Sequence, residues 1–108
     1  MKKWILALVI SIGAPLFIWA QNADSAEEYY RQGRYSAALG AYEEQLKNAP
    51  NNPYLYYNIG NCYFKMGSTG LAVANYYRAF RLDPRDEDIR HNLNLALESA
   101  GEKLVTGG

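Results

Sequence analysis

Past residue 20 the apolar residues recur at helical spacing, and glycine and proline punctuate the runs. Between Pro53 and Met66, Tyr56, Ile59, Gly60 and Tyr63 fall at i, i+3, i+4 and i+7, one stripe of an amphipathic helix. Asn52 is placed to cap that helix and Pro53 suits its first turn. Gly67 can take the left-handed conformation that ends it, as Gly33 can for the helix before. Pro50 and Pro84 stop the intervening helices, because a proline disfavours helical geometry in the residue before it. Asp86 caps a last helix, whose first turn is acidic (Glu87, Asp88) and whose stripe is Ile89, Leu93, Ala96, Leu97 and Ala100. The pattern predicts five helices, over roughly 23–32, 35–48, 53–66, 69–82 and 86–100, and a frayed tail over 101–108.

The chain before residue 21 follows a different pattern. Lys2 and Lys3 precede a stretch from Trp4 to Ala20 that is almost wholly apolar, interrupted by Gly13 and Pro15. A basic start, an apolar run and a small residue at its end read as a secretory signal peptide over residues 1–20, cut after Ala20. The alternative is an uncut anchor, although a run from Trp4 to Ala20 is near the lower limit for spanning a bilayer and Pro15 weakens the helix. Either way the remaining chain is expected to be exported, to the periplasm or the outer face of the cytoplasmic membrane.

A period of about 34 residues organises the rest. Pro50 and Pro84 are separated by it, as are Gly33 and Gly67, Ala38 and Ala72, Tyr42 and Tyr76, and Tyr29 and Tyr63. Ala38 and Ala72 are small enough to let helices approach, and Tyr42 and Tyr76 fill the space beside them. Gly40 is a weak point, since a glycine inside a helix costs about 1 kcal/mol relative to alanine. The unit Tyr56-x2-Ile59-Gly60-x2-Tyr63, Ala72-x3-Tyr76, Pro84 resembles the tetratricopeptide repeat, with tyrosine in place of the opening tryptophan. That resemblance implies an all-α fold, a right-handed α-solenoid of helical hairpins. Its domain covers 21–100: repeat 1 at about 21–52, repeat 2 at about 53–86, and a C-terminal capping helix at about 87–100 that covers the open apolar side of repeat 2.

Composition narrows the function. With 11 basic and 11 acidic residues the formal charge is zero, which argues against nucleic acid as the partner. One Cys and one His cannot supply a four-ligand zinc site or a disulfide framework. The single nucleophilic option is a Cys62–His91 dyad, but Cys62 adjoins the inward stripe and reads as a small buried thiol. His91 lies on the first turn of the last helix. No phosphate loop or metal motif is present. The expectation is a non-enzyme without cofactor or metal. A Cys62-based redox sensor is the minor alternative, as it needs an exposed, acidified thiol.

A second stripe on the Pro53–Met66 helix points to binding. Tyr54, Tyr57, Asn58, Asn61, Phe64 and Lys65 fall at i, i+3, i+4, i+7, i+10 and i+11. In tetratricopeptide arrays this face lines the concave groove. Asparagine offers a donor and an acceptor to an extended backbone, and tyrosine offers contact area at low entropic cost. Tyr30, His91 and Asn92 should border the same surface. The plain alternative is a hydrophilic helix face with some tyrosines. All ten tyrosines lie between Tyr29 and Tyr77, but Tyr29, Tyr35, Tyr42, Tyr56, Tyr63 and Tyr76 match packing positions of the repeat, and Tyr77 should face outward. Repeats that clamp the C-terminal carboxylate of chaperones carry Lys and Arg on the groove face. Here the corresponding positions hold Ala23, Glu27, Asn58, Asp88 and Asn92, of which only Asn58 matches, so a chaperone tail is not the expected ligand.

The stretch Tyr56-Tyr57-Asn58-Ile59-Gly60-Asn61, then Asn75-Tyr76, then Arg81 to Leu93, resembles the tetratricopeptide proteins of the bacterial aerotolerance (Bat) operon. That resemblance spans about 23–100. It implies an exported scaffold in an envelope complex linked to oxidative-stress tolerance, beside membrane-bound von Willebrand factor A domain proteins and a MoxR-type ATPase. The expected partner is a protein or peptide, with membrane contact only through an uncleaved N-terminal segment or a partner. The rival reading is a structural module that oligomerises by stacking through its capping helix.

Overall fold

The computed structural model describes residues 25–101, so the expected leader at 1–20 and most of the expected tail lie outside it. Among the described residues there are five helices and no strand: α1 (Ala26–Arg31), α2 (Tyr35–Asn48), α3 (Pro53–Lys65), α4 (Thr69–Leu82) and α5 (Glu87–Ser99). The expected boundaries of the middle three hold to within a residue. The first helix starts later than expected because the Ser25 hydroxyl accepts from the Glu28 N–H at 3.2 Å and caps it there.

The sequence signals act as the physics requires. Asn52 accepts from the Tyr54 N–H at 2.9 Å with Pro53 in the first turn, and Asp86 accepts from the Ile89 N–H at 3.0 Å. α1 and α3 both end on a glycine at positive φ, 76° at Gly33 and 81° at Gly67. The next residue's N–H then reaches back to close the last turn: Arg34 N–H to the Tyr29 carbonyl, and Ser68 N–H to the Tyr63 carbonyl, both at 2.9 Å. These tight closures turn the chain straight into α2 and α4, which start without a side-chain cap. At the far ends Ala49 and Asp83, each preceding a proline, share the same extended φ of −144° and stop both helices alike.

α1 packs on α2, α2 on α3, α3 on α4 and α4 on α5, giving two helical hairpins and a closing helix. The core has two parts. Ala26, Ala38, Tyr42, Leu55, Ile59 and Cys62 meet between the first hairpin and α3. Ala72, Tyr76, Leu93, Ala96 and Leu97 meet between α4 and α5. α5 therefore covers repeat 2, as expected of a cap. Ala100 differs from expectation: it is the exposed C-cap of α5 rather than part of its stripe.

The largest departure is on α3. The stripe expected to be its core is only half right: Ile59 and Gly60 are buried, but Tyr56 and Tyr63 are half-buried, and Leu55 and Cys62 are buried more deeply. α3 is packed on two sides, by the first hairpin and by α4. Its buried surface is wider than one stripe, so one periodic set cannot describe it. Gly60 sits at the tightest point, where a Cβ would stand 2.6 Å from Cδ1 of Tyr76.

Candidate partner-binding groove

α1, α3 and α5 contribute neighbouring side chains to one surface. A recess of about 190 Å³ is lined by Tyr30, Asn61, Phe64, Lys65, Tyr76, Asn92 and Leu95. A second, of about 180 Å³, lies between α1 and α3 and is lined by Glu27, Tyr30, Arg31, Tyr42, Tyr54, Asn58 and Asn61. Tyr30 and Asn61 border both, so the two recesses adjoin along one groove face. A third recess of about 120 Å³ opens beside Tyr54 and Tyr57, against Asp83, Asp86, Asp88 and Ile89.

The fold thus brings together Tyr30, Tyr54, Asn58, Asn61, Phe64, Lys65 and Asn92, all read from the sequence as groove residues. Tyr57 lies at the acidic recess. His91 is exposed on α5 and lines none of these recesses. A spacing along one helix places residues on one face of that helix, but the angle at which α5 crosses α3 decides which α5 residues reach the groove.

Amides and phenols hold the groove floor. Asn61 Oδ1 accepts from the Tyr76 hydroxyl and from Asn92 Nδ2 at 3.0 Å. Asn92 Nδ2 also donates to the Tyr57 hydroxyl at 3.1 Å. The Tyr57 and Tyr76 rings lie 6.0 Å apart at a tilt of 46°. Asn61, Asn92 and Tyr57 therefore tie α3 to α5 as well as border the groove. Burial raises the pKa of Tyr30, Tyr57 and Tyr76, so all three stay protonated donors through the physiological range.

Asn58 is different. It is only 8% exposed, and its Nδ2 has no hydrogen-bond partner among the described residues. Asn75, the other buried asparagine, is satisfied within its own helix, donating to the Leu71 carbonyl at 2.9 Å. An unpaired buried donor costs about 1–3 kcal/mol. Asn58 stands at the lining of the α1–α3 recess, from which an acceptor could reach it.

Sequence reasoning missed Tyr76, Tyr42, Leu95 and Arg31 as groove residues; Glu27, placed on the groove face only by comparison with chaperone-binding repeats, does line the α1–α3 recess. The repeat pattern places Tyr76 and Tyr42 at packing positions, correctly for their rings. The signal that could have found them is the hydroxyl, because a buried phenol needs a polar outlet and here the groove supplies it. Catalytic chemistry finds no footing in the only dyad the sequence offered. Cys62 is fully buried in the first core cluster, and burial followed by the charge of Glu43 pushes its thiol up to about 11. His91 is exposed on α5.

Stacked helical hairpins with a polar, aromatic-lined groove along their first helices define an α-solenoid interaction module. The chain belongs to the tetratricopeptide-repeat family: the TPR repeat matches residues 26–67 and the tetratricopeptide repeat matches 53–86, together more than half of the sequence. It is 33% identical over 78 residues to tetratricopeptide repeat protein 16 of Homo sapiens, a stretch that is 72% of this chain and 9% of that protein. It is 32% identical over 98 residues to the photosystem I assembly protein Ycf3 of Rippkaea orientalis, covering 82% of this chain and 57% of that one. Among solved structures it resembles the TPR2B domain of yeast Sti1, in a complex with pHsp70, with a TM-score of 0.68 and 25% identity over 70% of this chain and 61% of that chain. The chain thus spans about a tenth of tetratricopeptide repeat protein 16. Its repeats make it a protein–protein interaction module.

Proposed function

We propose that this chain is an exported, non-enzymatic scaffold that holds an extended segment of a partner protein in the groove formed by α1, α3 and α5. The observation that carries the reading is Asn58. Its buried, unpaired amide lines a recess shared with Tyr30, Tyr54 and Asn61. A peptide carbonyl entering that recess would supply the missing acceptor, and the exposed Tyr54 ring, 55% accessible, would cover it. The Bat-operon resemblance of residues 56–61 and 81–93 supports a cell-envelope setting linked to aerotolerance. It also supports a membrane-bound von Willebrand factor A domain protein as the partner.

The test measures binding of the full chain to a von Willebrand factor A domain protein from the same organism, by calorimetry or fluorescence anisotropy. Asn58→Ala and Tyr54→Ala are the groove variants, because neither removes a hydrogen bond that ties α3 to α5. Binding that weakens about tenfold or more in both, at unchanged helicity, is the expected result. Binding that survives both variants would rule out the groove. No binding by the parent chain would rule out this partner.

A further inference from the structure

The outward face of α4 carries exposed apolar and basic side chains together. Leu71, Ala74, Arg78, Arg81 and Leu82 fall at i, i+3, i+7, i+10 and i+11, with Tyr77 at their flank, and all six are exposed. Leu71 is 53%, Tyr77 50% and Leu82 43% accessible, half of the large apolar side chains that the described residues leave in solvent. α4 contains no carboxylate. Arg78, Arg81 and the nearby Arg85 form no ion pair among the described residues, whereas Lys47 on α2 is paired with Glu44 at 3.1 Å. Beside the two helical arginines opens a recess of about 290 Å³, the largest of those described, with Asn51 and Tyr56 on its wall. The Tyr56 hydroxyl donates to the Pro50 carbonyl at 3.0 Å, so the guanidinium groups and the Asn51 amide are left as its donors.

We propose that this face docks on an anionic phospholipid membrane, with a headgroup phosphate held by Arg78 and Arg81 and with Leu71, Tyr77 and Leu82 entering the interface. Charge complementarity selects an anion, since the face is cationic on a chain with no net charge. The interleaved apolar side chains select the membrane among anions. A soluble polyanion offers nothing to leucine, whereas the headgroup–acyl boundary favours aromatic and aliphatic side chains together with arginine. α4 buries Ala72, Asn75, Tyr76 and Ala79 on its other side. The groove takes only the buried Tyr76 from α4 and none of the exposed side chains of this face, so membrane contact and partner binding use different surfaces and can coexist.

The test uses the full chain with Ala74→Cys carrying an environment-sensitive fluorophore at the centre of the face; the buried Cys62 does not compete for the label. A second preparation carries the label at Gln45→Cys, exposed on α2. Both are titrated with phosphatidylcholine vesicles, with and without phosphatidylglycerol. The position-based readout separates docking of this face from any membrane association through the N-terminal segment. The expected result is a blue shift at position 74 only when phosphatidylglycerol is present, reversed by salt, with position 45 unchanged. Each basic residue close to an anionic surface is worth about fivefold in partitioning. Arg78→Gln/Arg81→Gln should therefore weaken the response about 25-fold, and Arg78→Glu/Arg81→Glu should weaken it further. No shift at position 74, an equal shift without phosphatidylglycerol, or a shift that survives charge reversal would each overturn the proposal.

Discussion

Two glycines inside helices show how far residue identity depends on surroundings. Gly60 and Gly40 occupy helices α3 and α2, and on propensity alone either would be better as alanine. At Gly40 nothing lies within 4 Å of where a Cβ would stand. Gly40→Ala should raise stability by about 1 kcal/mol, seen as a higher urea midpoint with an unchanged slope. At Gly60 the added carbon would meet the Tyr76 ring, whose hydroxyl is already committed to Asn61. Gly60→Ala should cost about 1–3 kcal/mol, the range for overpacking a filled core, and should disturb the groove floor through Tyr76. Equal effects at the two sites would contradict this account. Asn58 carries a related contrast. Asn58→Ala removes no internal hydrogen bond of its amide Nδ2, so its effect on stability should be small or favourable while partner affinity falls.

At the scale of elements, repetition has a local mechanical cause. The Gly33 closure recurs at Gly67 and the extended Ala49 recurs at Asp83, each one repeat later, so each hairpin leaves the last in the same direction. α5 has to start by itself, after a turn containing Pro84, and its start rests on Asp86. Asp86→Ala should cost about 1 kcal/mol through loss of that cap. The loss should appear as faster amide exchange at the start of α5, with α1 and α2 little changed. Uniform acceleration across all helices would mean that α5 does not open separately. The Tyr57–Asn92–Asn61 connection makes the start of α5 part of the groove as well, so the same variant should loosen partner binding.

At the scale of the molecule, two small core clusters hold five helices together, and three of their members titrate only at high pH. Burial is the main cause in each case: it pushes Cys62 up to about 11 and raises Tyr42 and Tyr76 above the ordinary tyrosine value, with Glu27 adding to the shift at Tyr42. The folded chain holds these protons more tightly than the unfolded chain does. Their contribution is therefore complete below the unfolded pKa values, about 9 for the thiol and about 10 for the phenols. It is lost as the pH rises through the folded values. Stability should be flat to about pH 9 and then fall, by up to about 1.4 kcal/mol per pH unit for each group that ionises in the unfolded chain alone. Urea midpoints measured from about pH 8 to about pH 11 check this. A midpoint that does not move across that window would show that these groups are open to solvent.

Much of this architecture was legible in one sequence because its signals are local. Caps, left-handed glycines, pre-proline stops and the repeat period each act within a few bonds or a single hairpin, so helix positions and the solenoid class follow from residue order. Most groove residues were legible for the same reason, since Tyr54, Asn58, Asn61, Phe64 and Lys65 share one side of α3. What only the tertiary structure decided depends on how helices cross. Sandwiching of α3 from two sides buried Leu55 and Cys62 more deeply than Tyr56 and Tyr63. Packing brought the Tyr76 hydroxyl, read as core, out to Asn61. It left His91 beside the groove's lining rather than in it, and it deprived Asn58 of a partner. Spacing within a helix determines direction about its own axis. Burial, pairing and accessibility depend on the neighbouring helix, whose contacts lie far away along the chain.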